Sequence, residues 1–64
     1  MKLTTLGRLA ELTDQQNADY SHGREMTRHA LADKCRQEGY DAVTITLAYV
    51  AGTAALTAEE MEAA

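Results

Sequence analysis

At 64 residues and 7.0 kDa the chain has room for one small domain, 1–64, with a limited core. Ten acidic against six basic residues give a net charge of −4 and a pI near 4.9, which argues against a general nucleic-acid binder of the usual basic kind. A lone cysteine, Cys35, excludes an internal disulfide framework, and no apolar run reaches the ~20 residues of a membrane span.

Leucines fall at 3, 6, 9 and 12. A strict period of three drifts around a helix yet still marks one broad side of it, so residues 3–12 are predicted helical. Gly7 weakens that helix by ~1 kcal/mol relative to alanine. Thr13 and Gln16 fit a capping box, which predicts a break there and a short second helix over 14–20. Ser21 is placed as the N-cap of a helix over 22–38, with Gly39 as the residue that ends it. The large apolar members of that helix are Met26, Leu31 and Cys35, so most of it is expected to face solvent.

Residues 41–51 read two ways. As a strand, Val43, Ile45, Leu47 and Tyr49 alternate with Ala42, Thr44, Thr46 and Ala48, and the β-branched content fits. As a helix, Asp41 is the N-cap, Val43, Leu47 and Val50 share a face, and Gly52 ends it. No second strand is evident beyond a weak partner in residues 1–6, which tips the reading to helix. Thr57 and Glu60 form another capping box, with an acidic first turn that suits the helix dipole. The expected fold is therefore all-α, a small bundle of three to five short helices; the alternative is α+β with 42–50 as a strand. With no Phe, no Trp and no staple, the thin core calls for either well-idealised helices or stability gained from a partner or a homodimer.

Charge is distributed unevenly. Residues 1–36 hold all six bases (Lys2, Arg8, Arg24, Arg28, Lys34, Arg36) and five acids, a net +1. Residues 37–64 hold Glu38, Asp41, Glu59, Glu60 and Glu62 with no base, a net −5. Such asymmetry steers association with a charged partner. The acidic part is a candidate partner-binding surface, with Tyr40 and Tyr49 as apolar anchors. Arg24, Arg28, Lys34 and Arg36 on the 22–38 helix form an alternative basic patch.

Other constellations carry less. His22, Glu25, His29 and Asp33 share one helix face, but the histidines are two turns apart, about 10 Å, and no metal or other cofactor is expected. Lys34 and Arg36 flank Cys35 but point away from it on a helix, so a small buried hydrophobe is its expected role. No nucleophile–base pair is present, and the chain is expected not to be an enzyme. A helix-turn-helix from Leu3 to Glu38 is disfavoured by the net charge. Met1-Lys2-Leu3-Thr4-Thr5 lacks the apolar core of a signal peptide, so a cytoplasmic location is expected, with no membrane association.

The small acidic chain, its lopsided charge and a tail such as Leu56-Thr57-Ala58-Glu59-Glu60-Met61 resemble the anti-CRISPR proteins of phages and mobile elements, above all small inhibitors of type I systems. The resemblance is one of size and charge over the whole chain and rests on no diagnostic motif. It implies a non-enzymatic, stoichiometric inhibitor in the bacterial cytosol that binds a CRISPR effector and obstructs DNA recognition. On that reading Glu38, Asp41, Glu59, Glu60 and Glu62 occupy a basic DNA-reading site, and the chain itself binds no nucleic acid directly. The runner-up is a small transcriptional regulator that uses the basic helix on DNA or on a protein.

Overall fold

A computed structural model describes residues 2–63. In chain order these are β1 (Lys2–Leu3), α1 (Thr5–Ala18), α2 (His22–Gln37), α3 (Ala42–Ala51), a 3-10 turn (Gly52–Ala55), α4 (Ala58–Met61) and β2 (Glu62–Ala63). The small helical bundle expected from the sequence is present. β1 and β2 pair antiparallel, Lys2 with Ala63 and Leu3 with Glu62, and so tie the two ends of the described chain together.

α1 is the central element, in contact with β1, α2, α3, the 3-10 turn and α4. Thr4 caps it by accepting from the Gly7 N–H at 2.8 Å, and its own hydroxyl donates to the Glu60 carbonyl. The Thr4 N–H donates to the Met61 carbonyl at 2.9 Å. One residue thus starts α1 and anchors the C-terminal segment. Gly7, a blemish by helix propensity, is needed for that approach: a Cβ there would lie 2.3 Å from the Met61 carbonyl oxygen.

The break predicted at Thr13 does not occur, and α1 runs unbroken to Ala18. The Thr13 hydroxyl donates to the Leu9 carbonyl one turn back (3.1 Å), where it is compatible with helix and fully buried. Gln16 reaches forward to the next connection: its amide donates to the Ser21 carbonyl (3.0 Å) and accepts from the Ser21 N–H (2.9 Å).

α2 begins at Ser21 and closes in a Schellman motif, with Tyr40 N–H donating to Cys35 O (3.2 Å) and Gly39 N–H to Arg36 O (3.1 Å). Gly39 has φ +95°, a conformation that side chains resist. Asp41 caps α3 by accepting from Thr44 N–H (2.8 Å) and Thr44 Oγ1 (3.0 Å). The strand alternative over 42–50 is thereby overturned: the cap at Asp41 and the left-handed Gly52 (φ +70°) close a ten-residue helix between them. The core is Leu6, Leu9 and Ala10 from α1, Leu31, Ala32 and Cys35 from α2, and Ile45 and Ala48 from α3. Of the four spaced leucines, Leu6 and Leu9 are buried and Leu3 and Leu12 half-buried, as a drifting period requires.

Candidate functional site

α3 packs on α1, α2 and the 3-10 turn. Its inward residues are Ile45 and Ala48, with Tyr49 half-buried beside them. The sequence pattern groups Val43, Leu47 and Val50 on one face, and they do share one, but it points outward. Val43 is 70%, Leu47 48% and Val50 65% exposed. Ala42, Thr46 and Ala51 lie exposed among them. Between Asp41 and Glu59 the chain has no charged residue, so α3 has no charged side to turn to water. Three of the five large apolar side chains exposed among the described residues belong to this row.

A polar cluster behind α3 fixes its position. Arg28 of α2 is buried; its guanidinium donates to the Tyr49 carbonyl and the Glu25 carboxylate and lies 3.9 Å from the centre of the Tyr49 ring. The Tyr49 hydroxyl donates to Glu25, and the Gln16 amide donates to Glu25 Oε1 at 3.3 Å. Arg24 donates to Gln16 Oε1 (2.9 Å) and to the Asp19 carbonyl (2.5 Å). His29 sits at the outer edge, 3.4 Å from both Glu25 and the Tyr49 hydroxyl. The Tyr49 hydrogen bond, with Gln16 and Arg28 also contributing, holds the Glu25 carboxyl below its ordinary range. Burial and then the hydrogen bond to Glu25 push the Tyr49 phenol up.

Tyr49, expected as an anchor for a partner, therefore spends its hydroxyl and ring on Glu25 and Arg28 inside the fold. Tyr40 is half-buried against the core. The basic patch expected on α2 is dispersed: Arg28 is buried, Arg24 is bound to Gln16 and Asp19, and Arg36 pairs with Asp33 at 2.5 Å. Lys34 instead lines a cleft with Lys2 and Arg8.

The acids are spread over three places rather than gathered into one surface. Thr5 Oγ1 donates to Glu38 at 2.8 Å, while its neighbour Thr4 holds the Glu60–Met61 backbone. Asp41 is occupied as a cap, and Thr44 bonds lower its pKa. Glu60 accepts from the Thr57 N–H (2.9 Å) in the second capping box, and Glu59 and Glu62 border a shallow hollow with Ala58 and Ala63. The charge division along the chain does not become two hemispheres, because Thr5 also lines the cleft that holds Lys2, Arg8 and Lys34.

Cys35 is fully buried, and desolvation raises its thiol pKa, which keeps the nucleophilic thiolate scarce. Among the described residues no group of three or more His, Cys, Asp or Glu is placed to hold a metal ion, and no helix is long and apolar enough to cross a membrane. Neither a protein-family model, nor a curated protein, nor a solved structure matches this chain.

Proposed function

We propose that this chain is a non-enzymatic binding protein that obstructs a protein partner by covering it, with the outer face of α3 as the centre of the contact and nearby carboxylates as its rim. The observation that carries this reading is the exposed row Val43, Leu47 and Val50 on a helix without a charged residue, with Asp41 capping its start and Glu38 three residues earlier. An apolar centre with an acidic border suits a surface that is apolar in the middle and basic around it. The partner we propose is a nucleic-acid-binding bacterial defence complex of the CRISPR effector class, which must present basic surface to its DNA. Net charge −4 and the exposed Glu38, Asp41, Glu59 and Glu62 support that choice. Relative to the sequence-derived version, the anchors move from Tyr40 and Tyr49 to the α3 row. A regulator reading through Arg24, Arg28 and Arg36 is weakened, since those three guanidiniums already have partners within the chain.

The test is a gel shift in which the purified protein is titrated against a type I effector and its target duplex. Release of the duplex near equimolar protein is expected, weakening as salt is raised. Leu47→Glu should remove the effect while retaining a helical circular-dichroism spectrum. Undiminished release by Leu47→Glu takes α3 out of the contact, and duplex binding by the chain alone replaces this reading with the regulator.

A further inference from the structure

The six basic side chains fall into two groups. Arg24, Arg28 and Arg36 donate to carbonyls or carboxylates of the chain itself. Lys2, Arg8 and Lys34 have no ion-pair partner among the described residues, and these three converge from β1, α1 and α2 on one cleft of about 570 Å³. Arg8 and Lys34 belong to helices packed side by side, so their convergence is set by the α1–α2 contact. The cleft continues, through shared Leu3 and Arg8, into a second hollow of about 360 Å³ along the α1–α2 seam. Its apolar floor is made by Leu3, Leu12 and Leu31. Among the lining residues Glu11 is the one acid, against three bases at the head, and Glu38, which accepts from the lining Thr5, stands beside them.

We propose that this groove is a docking site for an amphipathic acidic segment of a partner protein. Such a segment would place leucine-type side chains along the seam and carboxylates at the head, where Lys2, Arg8 and Lys34 stand. The distance from Arg8 to Gln15 along α1 is two turns, about 10 Å, which matches a short helical segment with its acids some two turns from its anchors. The charge complementarity decides the occupant. A nucleic-acid strand would stack its bases on aromatic side chains, whereas the groove is lined by no aromatic residue and its seam is made of leucines that suit apolar side chains. The groove shares no lining residue with α3 and stands independently of the α3 reading. The chain would then be a two-sided binder, acidic-rimmed at α3 and basic at the α1–α2 seam.

The experiment is a titration of the ¹⁵N-labelled protein with a synthetic helical peptide bearing three leucines on one face and three terminal glutamates. Shifts are expected at Leu3, Arg8, Leu12, Thr27, Leu31 and Lys34, with α3 silent. The same peptide with glutamine for glutamate should bind about tenfold more weakly, and the exposed-residue variant Arg8→Glu with Lys34→Glu should lose about as much. Leu47→Glu should leave the titration unchanged. Equal binding of the glutamine peptide, shifts centred on α3, no shifts at all, or stronger binding of a short DNA duplex at the same residues would each overturn the proposal. The peptide comparison holds even where a variant fails to fold, because it leaves the protein untouched.

Discussion

α1 and α3 start alike and end in opposite environments. Each is capped by a side chain that accepts from the N–H three residues on, Thr4 for Gly7 and Asp41 for Thr44. Each carries apolar residues at helical spacing. Yet Leu6 and Leu9 of α1 are fully buried, while Val43, Leu47 and Val50 of α3 face water. The difference lies in neighbours rather than spacing. α1 is approached by five other elements, so even a drifting leucine pattern finds cover; α3 lies against α1, α2 and the turn that follows it. An apolar row becomes core only where the topology brings something to cover it.

One substitution in each helix measures the difference in cover. Leu9→Ala should cost about 2–5 kcal/mol in urea unfolding, as expected for a fully buried leucine. Leu47→Ala should cost under about 1 kcal/mol, because much of that side chain is already in water. Equal losses would mean that α3 is covered in solution, and a concentration-dependent melting temperature would then identify a second copy as the cover.

Two glycines extend the contrast to the backbone. Gly7→Ala should destabilise by about 1–3 kcal/mol, since its methyl group would meet backbone at Met61 rather than a yielding side-chain tip. The C-terminal segment should be the part released, visible as faster amide exchange at Thr4 and Met61. Gly23→Ala meets nothing closer than Ser21 Oγ at 3.9 Å and should stabilise by about 0.4–1 kcal/mol.

These glycines also mark the limit of what the sequence makes legible. Local rules located Ser21, Asp41 and Thr57 as caps and Gly39 and Gly52 as terminators, because each works through residues within four positions of itself. They failed at Thr13, whose hydroxyl is satisfied by Leu9 inside an unbroken helix. They also could not give Gly7 its purpose, which depends on a backbone more than fifty residues away. For the candidate site, the acidic residues were legible as charges but not as caps already in use. The spacing of Val43, Leu47 and Val50 defines a face but not its direction. A signal was present in the uncharged run between Asp41 and Glu59, since a ten-residue helix in a small domain must show one side to solvent. The Lys2–Arg8–Lys34 cleft had no local signal, because β1, α1 and α2 meet only in the folded chain.

The cluster behind α3 predicts a pH dependence with two limbs. Glu25 titrates lower in the folded chain than its ordinary 4.5, so its contribution to stability is present above that value and is lost as pH falls through the folded pKa. Tyr49 titrates higher than its ordinary 10.0, so its contribution is present below that value and fades as pH rises through the folded pKa. Glu25→Gln should flatten the acid limb of a stability–pH curve and Tyr49→Phe the alkaline limb. An unchanged acid limb in Glu25→Gln would show that Glu25 does not hold its bonds to Tyr49 and Arg28 in solution.

The smallest expected effect discriminates most finely, because its sign depends on which way α3 faces. Val43 lies in the first turn of α3, 70% exposed. Val43→Glu gives up little burial and replaces a β-branched residue with a better helix former, as well as setting a negative charge near the positive end of the helix dipole. A stability change between zero and about +0.5 kcal/mol is therefore expected, read from the urea midpoint. Were Val43 part of the core, as its spacing with Leu47 and Val50 alone would allow, the same change would bury an unpaired charge and unfold a domain this small. Between those outcomes a loss of about 1 kcal/mol that disappears on dilution would place a partner copy over the row.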